Sequence, residues 1–299
     1  MLYYRRKILL ALIEAFGGYL APIPLQKYLF LFTRNQADKA YDFIPYYYGC
    51  FSFQANHDLA ALEKMGYLEV LKEGDNQRIH LVKPGNYLST LDMFDQQAIT
   101  RIRADFGGLS QDELIHYTYA KYPYYAINST IAKKLMSEEE LAEIGKQKRC
   151  TTGSALFTIG YEGKTLERYI NQLICNDVHV LCDVRKNAFS MKYGFSKKQL
   201  EKACEGVGIQ YIHVPQLGIE SNQRQELHTQ DDYDRLFDAY EHTTLRENWN
   251  YLLHVRHLID KCQRVALTCF EANPNQCHRT RVAKYLMTLP ETKYPLTHL

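Results

Sequence analysis

An α/β fold with a mainly parallel sheet and helices on both faces, preceded by an N-terminal winged helix-turn-helix domain, is the architecture that three observations predict. The second half of the chain alternates short apolar runs with amphipathic stretches, strand then helix. Residues 1–92 instead give three helical patterns followed by two short runs around a polar turn. The 299 residues exceed one typical domain, and a composition of 46% hydrophobic and 23% charged residues is ordinary for a globular chain. We therefore expect a winged-helix domain over 1–92, a helical connector and linker over 93–152, and an α/β domain over 153–299.

In the first domain Ile8, Leu9, Leu12, Ile13 and Phe16 share one face of a helix over 3–16, and Gly17-Gly18 stops it. A buried helix is expected over 24–32, starting at Pro24, where a missing N–H does no harm. A third, over 52–66, turns Leu59, Leu62 and Met65 inward. The runs at 67–71 and 78–82 flank a polar loop containing Gly74 and read as a hairpin. Residues 95–147 look helical and charged, with a capping pattern at Ser137-Glu-Glu-Glu140. The cluster Tyr117, Tyr119, Tyr122, Tyr124 and Tyr125 offers either ring packing at the domain junction or a stacking platform for bases. Residues 146–152 read as the linker.

In the last domain we expect strands at 156–160, 178–184, 210–214, 265–268 and 295–299. Helices are expected at 165–175, at 196–207 capped by Ser196, over most of 231–261, and from Cys277 onward. Crossovers of this kind make a parallel sheet, and ligands of such sheets sit beyond the carboxyl ends of the strands. The loops that meet there carry Tyr161, Glu162 and Lys164, then Asp183 and Arg185, then residues 213–218, and finally residues 269–279.

The last of these loops is the most informative. Cys269, Glu271, Cys277, His278 and Arg279 fall within 269–279, where packing alone would ask for apolar residues. Cys277, His278 and Arg279 also open a helix, whose unpaired N–H groups and positive dipole end favour an anion or a thiolate. Candidate catalytic groups are Cys269, Glu271, Asp183 and Glu162; candidate substrate-binding groups are Arg185, Cys277, His278, Arg279, Tyr161 and Lys164. Each has a plainer role: Asp183 capping a turn with Arg185 as its surface ion-pair partner, Glu162 accepting turn amides, Tyr161 packing, Cys269 filling the core. Three chemistries fit. A thiol nucleophile with Arg185 and Arg279 clamping an oxyanion would suit hydrolysis or transfer on an anionic substrate. A carboxylate acid or base would suit glycosyl-bond or nucleotide chemistry. A metal bound by Cys269, Cys277, His278 and a fourth ligand at Glu271 is the least favoured of the three, because neighbouring Cys277 and His278 should diverge on a helix and the CxxC spacing of closed zinc sites is absent. The expectation is thus a Cys- or carboxylate-dependent hydrolase or transferase with no metal and no cofactor.

Cys269-x-Glu271 followed by Cys277-His-Arg279, with Thr158-Ile-Gly-Tyr-Glu-Gly163, Cys182-Asp-Val-Arg185 and Gly194-Phe-Ser196 upstream, resembles the DUF488 family over about 155–299. That resemblance implies an α/β fold and no settled reaction. Family members often carry proline after the Val-Arg pair, where this chain has Lys186-Asn-Ala188. In the first domain, Leu25-Gln-Lys-Tyr-Leu-Phe30, residues 41–49 and Phe51-Ser-Phe53 resemble the SocA-like, or DUF4065, group found in antitoxins. Together the resemblances imply action on a phosphate-bearing substrate, a nucleotide, DNA or RNA, in bacterial defence or stress. The alternative is a non-catalytic sensor that reports through the winged helix to DNA or a protein partner.

A formal charge of +2 gives no global field toward nucleic acid, so any such contact must come from local patches. The helix over 52–66 offers only Lys64 against Asp58 and Glu63, which weakens a major-groove reading. No apolar run approaches a membrane span, so no membrane partner is expected. Eight cysteines without repeated CxxC spacing suit reduced thiols and a cytoplasmic protein. A homodimer stays open.

Overall fold

The computed structural model describes residues 2–74, 76–220, 223, 227–290 and 292–299. Its contacts divide the chain into two compact units, Met1–Lys148 and Arg149–Leu299.

The N-terminal unit begins with α1 (Tyr4–Ala15), in which every residue from Ile8 to Ile13 is fully buried. Burial all round, rather than on one face, follows from its neighbours: helices and strands pack on it from several sides, so no face is left for water. After β1 (Tyr19–Leu20), α2 (Pro22–Thr33) starts two residues earlier than the sequence suggests, with Pro22 in its first turn. A short hairpin of β2 (Ile44–Tyr46) and β3 (Gly49–Phe51) follows. Next comes α3 (Phe53–Lys64), capped by the Ser52 hydroxyl, which accepts from the Ala55 N–H at 3.2 Å. The expected hairpin forms as β4 (Leu68–Glu73) and β5 (Asn76–Leu81), and β1 adds to its free edge to give the antiparallel order β1-β5-β4. Neither β1 nor the β2–β3 pair is signalled by alternation, because strands of two or three residues are too short to show a period.

The remaining helices are α4 (Met93–Phe106), α5 (Gln111–Lys121), α6 (Ala132–Leu135) and α7 (Glu138–Gln147), the last with the capping box at Ser137 and Glu140. Tyr122 and Tyr125 pack edge-on against Phe30, with centroids 5.0 and 4.6 Å away, and buried Tyr119 shares a hydrogen bond with Ser129 at 2.8 Å. These rings stabilise the interior of this unit. Asp58 is turned inward from α3, fully buried between Arg5 and Arg6 at 2.5 and 2.8 Å, with the Tyr41 hydroxyl donating to it.

The C-terminal unit is a five-stranded sheet. In chain order its elements are β6 (Ala155–Gly160), α8 (Leu166–Cys175), β7 (Val180–Asp183), α9 (Lys197–Glu205) and β8 (Gln210–His213). There follow α10 (Gln230–Tyr240), one π turn, α11 (Trp249–Cys262), β9 (Arg264–Cys269), α12 (His278–Met287) and β10 (Leu296–His298). The strand order is β10-β6-β9-β7-β8, and every pair is parallel. Central β6 and β9 are buried along their whole length, as expected for strands covered on both faces. Residues of α10, α11 and α12 form one apolar core with Val265 and Leu267. Tyr169 of α8 lies against the other face, its hydroxyl donating to Thr268 at 2.7 Å. The cap expected of Ser196 is absent: its hydroxyl donates to Ser190 O and accepts from Ser190 N, both at 3.0 Å, closing the preceding loop instead.

Two strand ends approach so closely that one residue is fixed. Gly160 and Cys269 are register partners, and the chain leaving β9 crosses back over β6, so a Cβ at Gly160 would stand 1.9 Å from the Glu271 carbonyl oxygen. Backbone cannot yield as a flexible side chain would. Gly160→Ala is therefore expected to destabilise the unit by about 1–3 kcal/mol, the range for overpacking, measured by urea unfolding. An unchanged midpoint would mean that the crossing loop moves freely.

Candidate functional site

The strand C-termini carry every residue singled out from the sequence, in two groups. Side chains alternate along a strand, so Thr268 and Cys269 point to opposite faces of the sheet. Asp183 is the register partner of Thr268 and shares its face, toward α8, whereas Cys269 faces α12.

On the α8 side, fully buried Asp183 holds the guanidinium of Arg185. Nε lies 2.9 and 3.1 Å from the two carboxylate oxygens and Nη2 lies 2.5 Å from Oδ2. Nη1 donates to the Tyr161 hydroxyl and to the Phe195 carbonyl, each at 2.9 Å. Tyr161 is stacked on Phe195 at 4.4 Å, and the Tyr211 hydroxyl donates to Asp183 at 2.6 Å. Burial alone would lower the Arg185 pKa, but hydrogen bonds and charge attraction from Asp183 outweigh it and push the pKa up. Burial and the negative charge of Asp183 likewise push the Tyr211 phenol up. Arg185 is thus a buried, bidentate partner of Asp183, not a surface one. Tyr211 was not picked out from the sequence, and Phe195 entered only within the Gly194-Phe-Ser196 motif; one tyrosine on a strand and one backbone carbonyl carry no local signal.

On the α12 side the Cys269 thiol donates to Glu271 Oε2 at 3.2 Å and lies 3.6 Å from His278 Nδ1. His278 Nε2 is 2.9 Å from the Val184 carbonyl. A carbonyl only accepts, so that nitrogen carries the proton and, in the neutral ring, the Nδ1 lone pair faces the thiol. Cys277 is the N-cap of α12, with φ −133° and ψ 132°, and its side chain caps nothing. It is therefore outside the helix, and the divergence of adjacent helical side chains does not apply to it. The sulfurs of Cys269 and Cys277 and a ring nitrogen of His278 lie within 4.8 Å of one another, all three residues buried. Burial, then the interaction with Cys269 and the negative charge of Glu271, hold the Cys277 thiol well above its ordinary pKa, against a smaller pull from Arg279.

The loop that carries these groups is braced by charge. Arg279, 1% exposed, donates from Nη1 to the Glu271 carbonyl at 2.5 Å and from Nη2 to that of Ala272 at 3.3 Å, while its buried Nε has no partner. Exposed Glu162 accepts from the Ala272 N–H at 2.9 Å, tying the exit of β6 to the same loop. Burial and repulsion from Arg279 lower the Lys164 pKa. The two groups meet around the turn after β7, where His278 bonds the Val184 carbonyl and His213 the Arg185 carbonyl, each at 2.9 Å. A pocket of about 120 Å³ lined by Leu227, Tyr233, Leu236, Phe237, Glu271 and Gln276 opens beside the cysteine group.

No helix of the described residues is long and apolar enough to cross a membrane. No curated protein matches the chain. Residues 165–286 match the family described as domain of unknown function DUF488. The match spans Asp183, Arg185 and the whole Cys269-to-Arg279 loop but begins after Tyr161, Glu162 and Lys164. The buried ion pair and the cysteine group thus belong to a DUF488 domain at residues 165–286 of the C-terminal unit.

Proposed function

We propose that the C-terminal unit is a hydrolase or transferase acting on a phosphate-bearing substrate, a nucleotide or nucleic acid, with its chemistry in Cys269, Glu271 and His278. The observation that carries this reading is the placement of the Cys269 sulfur between a carboxylate at 3.2 Å and an imidazole nitrogen at 3.6 Å, at the C-terminal end of a parallel strand. A nucleophile or ligand, a base and an oriented histidine within reach of one another are what acyl or phosphoryl chemistry needs. Glu271, beside the small pocket, is the acid or base. Asp183, Arg185 and Tyr161 fix the neighbouring turn, and Glu162 fixes the loop. The substrate charge would be met by half-buried Lys164, whose repulsion by buried Arg279 an anion relieves.

The N-terminal unit supports a partner role in the same proposal. Its order of helix, strand, helix, short hairpin, helix and second hairpin is compatible with a winged helix carrying one inserted hairpin, through which the protein would reach DNA or a protein partner. With that unit as the output, loss of catalysis on removal of Glu271 would separate an enzyme from a sensor.

Lys164→Gln is expected to weaken binding of labelled single-stranded DNA, RNA or a mononucleotide by roughly 1.5–3 kcal/mol, the range for a hydrogen bond to a charged group. For a nucleic acid, the slope of log K against log salt should flatten by about one contact. Fluorescence titration at several salt concentrations measures both. Affinity untouched by Lys164→Gln and by Arg279→Lys would remove phosphate from the reading.

A further inference from the structure

We propose that Cys269, Cys277 and His278, with Glu271 in the fourth position, form a binding site for a zinc-type divalent metal ion. The inference rests on the reading of this cluster as the working site and names what would occupy it.

Three soft or borderline donors, from Cys269 at the end of β9 and from Cys277 and His278 at the start of α12, converge here, and the harder Glu271 carboxylate lies on the Cys269 side. For metal–sulfur and metal–nitrogen distances of about 2.3 and 2.05 Å, a tetrahedral ion separates its sulfur and nitrogen ligands by about 3.6 Å. The Cys269 sulfur and His278 Nδ1 are 3.6 Å apart. The Cys277 sulfur falls within the same 4.8 Å group, and Glu271 Oε2 stands 3.2 Å from the Cys269 sulfur. The Cys269–His278 edge of a coordination tetrahedron is thus drawn, with the Cys277 sulfur inside the same 4.8 Å group and Glu271 beside Cys269. Spacing of the CxxC kind is not required, because the fold supplies one cysteine from a strand end and the second from a helix N-cap.

The surroundings agree with an ion more than with a bare thiol pair. The proton on His278 Nε2 goes to the Val184 carbonyl, the arrangement that fixes a metal-ligating imidazole and turns the other nitrogen toward the Cys269 sulfur. Two thiolates and a carboxylate carry three negative charges; a divalent cation together with buried Arg279 carries three positive ones. The dipole of α12 presents its positive end to the same anions. Each thiol gives its proton to water as the ion binds, so binding strengthens as pH rises. Thiolate and imidazole donors select zinc or a similar transition metal over magnesium or calcium. With Glu271 exchanging for water, such an ion would also activate the nucleophile that the proposed hydrolysis needs.

The test uses the full chain, purified with reductant and without chelator. Elemental analysis should find about one zinc-type ion per chain, and metal-free protein titrated with Co²⁺ should develop a thiolate-to-cobalt charge-transfer band that saturates at about one equivalent. Cys269→Ser and Cys277→Ser should each lower Co²⁺ affinity at least about tenfold, with folding checked by circular dichroism, while Cys262→Ser, outside the cluster, leaves it unchanged. No metal and no band overturns the proposal. So do a Cys269–Cys277 disulfide in place of metal uptake and serine variants that bind as the wild type does. Because no substrate is present, the two readings separate: turnover by metal-free protein removes the metal and keeps the enzyme, whereas a bound ion without nucleotide binding or turnover does the reverse.

Discussion

Arg185→Met should destabilise the C-terminal unit by about 3–5 kcal/mol, the loss that follows when one partner of a buried ion pair is removed. Asp183 is fully buried, and Arg185 supplies three of the short contacts to its carboxylate; the Tyr211 hydroxyl at 2.6 Å is a neutral donor and does not balance the charge. The same substitution strips the Phe195 carbonyl and the Tyr161 hydroxyl of a donor, so with Asp183 three polar groups lose a donor together. Urea unfolding followed by circular dichroism measures the effect. The double variant Asp183→Asn, Arg185→Met should recover part of the loss, because the uncompensated charge is gone while the shape is nearly kept. A single-variant loss below about 1 kcal/mol would mean that water reaches the pair, as for an exposed one.

Glu271→Gln should reduce turnover of a phosphate-bearing substrate by about 10²- to 10⁴-fold, the contribution of a positioned acid or base. The amide keeps the shape and the hydrogen-bond acceptor near Cys269 but cannot exchange a proton. Glu271 is only partly buried, beside the small pocket, so the unfolding midpoint should change little. Steady-state kinetics with direct binding decide the matter: an enzyme keeps its ligand and loses rate, whereas loss of binding together with an absence of turnover in the wild type would favour the sensor. Cys269→Ser gives the same contrast, and its comparison with Glu271→Gln shows whether the sulfur or the carboxylate carries the larger share.

Both effects depend on neighbours that come from distant parts of the chain, and this limits how far the sequence alone could lead. The alternation of apolar strands and amphipathic helices after residue 153 was legible because it is a local property, written in periods of two and 3.6 residues. The location of the candidate residues was legible for a topological reason: parallel strands joined by helices bring all their carboxyl ends to one edge, whatever the strand order. Cys269, Glu271 and His278 could therefore be read as companions from the sequence, and the structure places them within hydrogen-bond reach.

What the sequence left undecided is pairing. Nothing local says that β9 enters between β6 and β7, yet that insertion makes Gly160 the register partner of Cys269 and Thr268 that of Asp183. Register then divides the residues between two faces, since one step along a strand reverses the direction of a side chain. Arg185 and Arg279 read alike in the sequence, as cations beside an anion site; the fold buries the first against Asp183 and sets the second under two loop carbonyls. Cys277 and His278 read as diverging neighbours on a helix, but the helix begins one residue later, at His278, and frees Cys277 to join Cys269. Periodicity fixed the elements and the edge at which the chemistry gathers. The partners of each charge and each sulfur were decided by long-range strand order, because partner choice depends on contacts between residues far apart in the chain, which no local window of the sequence contains.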